Sequence, residues 1–322
     1  MILSVSRRTD IPAFYGDWFL NRIKEGFVLV RNPVNPKQVS WIALTRENVD
    51  CIVFWTKNPS NFMHRLKELK DYPFYFQFTL NGYGKEIEPG IPDKEQRMIP
   101  LFKELSGQIG RERNIWRYDP VLISEKYSLE WQIRKFEEMA ASLGGYADRV
   151  VISFLDVYKK IKIRLSHMGI RPLTEEEVFS FAEAAGAAAG KHGMEVVTCA
   201  EKYDLSCFGI QPGSCVDRRL VEKVIGMDIS VDKDKNQRSE CGCAASIDIG
   251  AYDTCPNGCV YCYANRDDVS VKKKTEKYSP ESLALCSEPD AYDRIKERKA
   301  ETCVETQLSL FAPDMCYIKK YE

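Results

Sequence analysis

The chain has 322 residues, 44% hydrophobic and 29% charged, with a formal net charge of −1. That is long enough for one large α/β domain, and it excludes a global basic field that would draw the chain onto nucleic acid or anionic lipid. No apolar run approaches the length of a membrane span. The twin arginine Arg7-Arg8 is followed by Asp10 and Pro12 rather than an apolar stretch, so an export signal is rejected and a cytoplasmic location is expected.

Short apolar, β-branched segments predict strands at 2–6, 51–55, 74–79, 115–118, 150–154 and 195–199, with a further one at 246–250. Helical patterns lie between them. The first, 17–25, opens on Asp17 and stops at Gly26; 61–69 and 95–105 follow the same logic. Segment 128–143 ends in Gly144-Gly145, and Thr174 with Glu177 makes a capping box opening an Ala-rich helix that runs to Gly190. This alternation predicts a parallel sheet, most simply a (βα) barrel, full or partial; an open doubly wound sheet is the alternative. No Gly-x-Gly-x-x-Gly follows a strand, which weakens the dinucleotide-binding form of that alternative. The expected organisation is a barrel over 1–265 and a charged extension over 266–322, read as one or two short helices and a partly mobile tail.

Each of the first six predicted strands runs into polar residues: Ser6-Arg7-Arg8-Thr9-Asp10, Thr56-Lys57-Asn58, Asn81, Arg117-Tyr118-Asp119, Asp156 and Glu201-Lys202. The plain reading is that polar residues begin loops. In barrels and open α/β sheets, however, the carboxyl edge is where chemistry is done. A shared mouth is therefore expected there, with Arg8, Asp10, Lys57 and Asp119 as catalytic candidates.

Eight of the twelve cysteines fall between Cys199 and Cys262, and none of the three histidines is beside them. Clustered thiols in a reducing compartment point to metal or redox ligands before disulfides. Cys255, Cys259 and Cys262 have C-x3-C-x2-C spacing. One loop with that spacing can wrap an iron–sulfur cube and leave one iron open to a ligand. Pro256, Asn257 and Gly258 permit the tight turn, and Tyr261 can shield the cluster. The alternative is a zinc knuckle with Cys243 as fourth ligand.

With Tyr261 included, the loop resembles the radical S-adenosylmethionine (radical SAM) superfamily, whose signature is C-x3-C-x-aromatic-C. The resemblance implies a [4Fe–4S] cluster whose open iron chelates S-adenosylmethionine. It also implies reductive cleavage to a 5′-deoxyadenosyl radical, and an electron donor such as flavodoxin or ferredoxin. The superfamily carries this loop after its first barrel strand, so the resemblance implies a circular permutation here, with strand 246–250 beside strand 2–6. Arg7, Arg8, Thr9 and Asp10 would then stand next to the cluster to meet the methionyl carboxylate and amine. The superfamily's glycine-rich amine-binding motif is not visible. Over residues 1–265 the chain also looks like the domain-of-unknown-function 1848 family, through Ser6–Pro12, Phe54–Pro59, Arg117–Pro120 and Ser246–Asn265. That family implies no substrate.

Cys199, Cys215, Cys241 and Cys243 are candidates for an auxiliary cluster or a zinc site, with Cys207 in reserve; inert buried thiols are the alternative. Cys51, Cys286, Cys303 and Cys316 are read as core or tail. In the tail, Gln307-Leu308-Ser309-Leu310-Phe311 is similar to the bacterial sliding-clamp binding peptide, with Gln307 fixing register and Leu310 and Phe311 as apolar anchors. The alternative is that it packs back on the body. Clamp binding would make DNA the substrate class, with Lys272, Lys273 and Lys274 as phosphate contacts or merely a solvated face. The leading expectation is thus a radical SAM enzyme for DNA repair or modification. A radical SAM enzyme acting on a small molecule or peptide, and a non-catalytic zinc-stabilised DNA-binding adaptor, stay open.

Overall fold

A computed structural model describes residues 1–305. The chain begins with β1 (Ile2–Val5), α1 (Ile11–Phe14), α2 (Gly16–Glu25), β2 (Phe27–Arg31), β3 (Gln38–Ala43), β4 (Cys51–Thr56) and β5 (Phe74–Thr79). It continues with α3 (Ile99–Ile109), β6 (Asn114–Val121), α4 (Leu129–Leu143), β7 (Arg149–Phe154), α5 (Lys162–His167), α6 (Glu175–Lys191) and β8 (Glu195–Cys199). Then come β9 (Gln211–Gly213), α7 (Arg218–Ile225), β10 (Ile247–Asp248), α8 (Asp268–Thr275) and β11 (Arg294–Glu297).

Eight strands form one sheet in the order β10-β1-β4-β5-β6-β7-β8-β9, and every pairing in it is parallel. Its carboxyl edge therefore gathers all the polar strand ends on one side. The expected neighbour of the first strand is in place: Leu3 is in register with Ile247 and Ser4 with Asp248. The expectation of a closed barrel is not met. The sheet ends at β9 and β10, strands of three and two residues, too short to build a closing ladder. Loop contacts span the gap instead: Ala244 N donates to the Val216 carbonyl at 2.9 Å.

Both faces of the sheet are buried, which is why its strands read as continuous apolar runs. Leu3, Ile52, Phe54, Phe76, Trp116, Ile152 and Val196 face the helices and pack with Phe19, Phe102, Phe136 and Phe181. Ile2, Val53, Tyr75, Ile115, Val151 and Val197 face the other way and pack with Leu220 and Val221 of α7.

Local signals set several helix ends where they were expected, but α2 begins at Gly16 with Tyr15 at its N-cap, and Asp17 lies inside the first turn rather than capping it. Gly26 takes φ +78° and stops α2, Ser128 caps α4, and Thr174 and Glu177 form the reciprocal box on α6. Segment 61–69 is instead a 3-10 helix over Met63–Leu69. The helix expected at 95–105 is shifted: a π-turn, Lys94–Met98, leads into α3, whose first turn carries Pro100. Proline fits only that first turn, so it marks the start of α3. Sequence periodicity missed the second sheet, β11-β3-β2. The wholly exposed Arg294–Glu297 carries no apolar alternation. Residues 266–305 are tied to the body: Trp18 Nε1 donates to the Ser282 carbonyl at 2.8 Å, and Arg31 pairs with Asp293 at 2.7 Å. Lys272, Lys273 and Lys274 occupy the last turn of α8, where they offset the helix dipole. No helix among the described residues is long and apolar enough to cross a membrane.

Candidate metal centre

β10 delivers the chain to the three-cysteine loop, and Asp248 fixes how it arrives. One carboxylate oxygen accepts from Ser6 Oγ (2.7 Å) and Gly250 N (2.9 Å), the other from Ser4 Oγ (3.0 Å) and Arg7 N (2.9 Å). A Cβ at Gly250 would lie 2.0 Å from Ser6 Oγ, so only glycine lets the loop leave so close to β1. The loop then closes on itself: Asp253 N donates to the Ala264 carbonyl at 3.0 Å, and Asn265 Nδ2 to the Cys255 carbonyl at 2.7 Å. Gly258, at φ +65°, makes the turn between the first two cysteines. A strap at 87–90 holds the loop from outside. Gly90 N donates to the Asn257 carbonyl at 2.9 Å, and Val260 N to the Ile87 carbonyl at 3.0 Å.

Cys255 and Cys259 are buried and Cys262 is half-buried. Cys255 and Cys259 both feel the charge of Cys262. Burial pushes the Cys255 thiol up to about 12, while the backbone of Asn257 and Asp10 favours its thiolate. Burial also raises Cys259, and the nearby Lys57 ammonium works the other way.

Lys57 belongs to a buried network that the sequence did not reveal. Its Nζ lies 2.8 Å from Glu88 and 5.4 Å from the Tyr261 ring centroid. Glu88 also pairs with Lys94 and accepts from the Tyr261 hydroxyl. Asn81 donates to Glu88 at 3.3 Å and to the Tyr261 oxygen at 3.2 Å. Burial alone would raise Glu88, but the two lysines hold it at about 2, so it is ionised. Lys57 is likewise held protonated: burial works against its charge, and Glu88 and Cys259 outweigh burial. Glu88 follows no strand and sits in no motif. Asp248 did leave a signal, a carboxylate between two isoleucines in a strand.

The other candidates divide. Asp10 is fully committed to scaffolding: its oxygens accept from Ala13 N (3.1 Å), Thr56 Oγ1 (2.7 Å), Lys57 N (2.7 Å) and Asn257 Nδ2 (3.2 Å). It thereby ties the ends of β1 and β4 to the cysteine loop. Arg8 reaches the Gly250 carbonyl at 3.3 Å and lies 5.2 Å from the Tyr252 ring centroid. The Thr9 hydroxyl and one Arg7 terminal nitrogen are buried without a hydrogen-bond partner. Asp119 accepts from Arg117 and Ser153, and those partners, against burial, lower its pKa.

Cys199, Cys215, Cys241 and Cys243 come together. The sulfurs of Cys199 and Cys215 are 3.1 Å apart. Cys215 is also in thiol contact with Cys243, and Cys243 with Cys241, whose pKa that contact lowers to about 7. The reserve candidate, Cys207, is exposed and joins neither group. Among the described residues, no three His, Cys, Asp or Glu side chains already converge on one metal-ion position. Gln307, Leu308, Leu310 and Phe311 lie outside the described residues.

Residues 2–264 match the family described as a domain of unknown function, DUF1848. The chain belongs to that family. No curated protein matches it. Among solved structures, a putative alpha-L-fucosidase from Bacteroides thetaiotaomicron VPI-5482 is similar at 14% identity, over 50% of this chain and 68% of that one, with a TM-score of 0.26. A likeness that low carries no argument about fold or activity.

Proposed function

We propose that this DUF1848 protein is a radical SAM enzyme whose cluster is held by Cys255, Cys259 and Cys262. The observation that carries the reading is a C-x3-C-x-Tyr-C loop leaving the carboxyl end of β10, with the polar end of β1 beside it. When bound, a four-iron cluster with one open iron supplies the electron that splits the sulfonium of S-adenosylmethionine and initiates hydrogen abstraction. The chain's own residues prepare the place. Arg8 presents its guanidinium group to the methionyl carboxylate, and the unpartnered Thr9 hydroxyl is a donor for the same ligand, whereas Arg7 pairs with Asp234 at 3.7 Å. Lys57 offsets thiolate charge at Cys259. Tyr261, pinned by Glu88, covers the loop and limits water.

The test is anaerobic purification, iron and acid-labile sulfide analysis, and 5′-deoxyadenosine release with and without Cys259→Ala. About four irons with matching sulfide at this site, and release abolished by the substitution, are expected. Undiminished release by that variant, or zinc alone with no sulfide after reconstitution, sinks the reading and favours the adaptor. DNA is the substrate class we favour, on the strength of the Gln307–Phe311 peptide. A clamp pull-down indifferent to a Leu310→Ala/Phe311→Ala double variant removes that support and leaves a small molecule or peptide.

A further inference from the structure

We propose that Cys199, Cys215, Cys241 and Cys243 bind a single zinc ion that joins the two free edges of the eight-stranded sheet. The inference does not depend on what the three-cysteine loop holds.

The position of the four thiols is the first argument. Cys199 ends β8, Cys215 lies two residues past β9, and Cys241 and Cys243 lead into β10. β9 and β10 are the unpaired edges of the sheet. The thiols therefore gather where strand pairing fails, beside the Ala244–Val216 hydrogen bond that spans the gap.

The second argument is spacing. Zinc bonds thiolates at about 2.3 Å in a tetrahedron, which puts the sulfurs roughly 3.8 Å apart. Cys199 and Cys215, at 3.1 Å, are already on that scale, and Cys243 Sγ stands 3.2 Å from the Cys215 backbone nitrogen. A cube spreads its thiolates farther. No three of these side chains yet converge on one ion position, so ligation requires side-chain rotation, with each thiol releasing its proton to solvent. An all-thiolate donor set selects zinc or iron–sulfur over hard cations.

The third argument is the polar surround. The backbone N–H groups of Cys215 and Val216 point at Cys243 Sγ, at 3.2 and 3.4 Å. Arg117 Nη1 donates to Cys215 Sγ at 2.7 Å. Arg7 lies against Cys243 and Cys215, and its Nη2 is buried without a partner. A zinc ion with four thiolates carries excess negative charge, and these donors are placed to meet it. Cys215, Cys241 and Cys243 are buried and Cys199 half-buried, so four protein ligands close the site and leave no position for a reacting water.

The experiment measures zinc, iron and free thiols on full-length protein purified without chelator. About one zinc per chain is expected, unchanged by Cys259→Ala and reduced at least tenfold by Cys241→Ser/Cys243→Ser. Because that double variant can misfold, the half-buried Cys199→Ser is measured beside it. Cobalt substitution of the wild-type protein should give thiolate-to-cobalt charge-transfer absorption. Zinc absent from the wild type, zinc retained in both variants, a Cys199–Cys215 disulfide, or a second cube signalled by about eight irons each overturns the proposal. Zinc lost on schedule from a protein with no labile sulfide would refute the radical reading and leave this one standing.

Discussion

The two cysteine groups flank the same short strand, β10, and are built in opposite ways. Cys255, Cys259 and Cys262 come from one continuous loop, and their surroundings are charged side chains from other strands, chiefly Lys57 with Glu88. Cys199, Cys215, Cys241 and Cys243 come from three segments of the chain, and their surroundings are backbone N–H groups and the buried Arg117. A local loop can present thiols spaced for a large cluster. A non-local group is brought together only as the sheet edges meet, and its thiols touch. The contrast is the ground on which we propose the first group for chemistry on a bound ligand and the second for holding the fold.

The comparison can be broken most severely at Cys259. Cys259→Ala should reduce 5′-deoxyadenosine release to background and strip iron while leaving zinc in place; simultaneous loss of both metals would show that the two groups are one site. Next in size is Glu88→Gln, which leaves Lys57 and Lys94 without their buried anion. We expect a loss of about 3 kcal/mol in denaturant unfolding. The pH dependence gives a second readout. Glu88 is held at about 2 in the folded protein against 4.5 ordinarily. Its ionised form therefore contributes fully above pH 4.5, and that contribution is lost as pH falls through 2. Stability of the Glu88→Gln variant should fall less steeply over that window than the wild type.

A smaller effect is expected at Tyr261. Tyr261→Phe removes the hydrogen bond to the ionised Glu88 and the one accepted from Asn81 and keeps the ring, for a loss of about 2 kcal/mol with iron content intact. Iron loss in that variant would make Tyr261 part of the cluster's hold. The smallest is Cys207→Ser, exposed and apart from both groups. Unfolding free energy should stay within about 0.5 kcal/mol of wild type and metal content should not change.

Much of this was written locally. The strands at 74–79 and 195–199 have the bounds their apolar runs suggested, and the Thr174 box and Gly26 stop act as read. The C-x3-C-x2-C loop was legible for the same reason: spacing, turn residues and shielding ring lie within one short segment, where chain connectivity already fixes what can meet. Other features depended on contacts across the whole chain. Glu88 acquires its role only because Lys57 and Tyr261 arrive from distant segments to join Lys94, which is six residues away. The open seam between β9 and β10, and the convergence of Cys199 and Cys215 with Cys241 and Cys243 across it, appear only when the core has set the order of eight strands. Periodicity and turn chemistry act over a few residues, whereas these partners are far apart along the chain and are selected by packing.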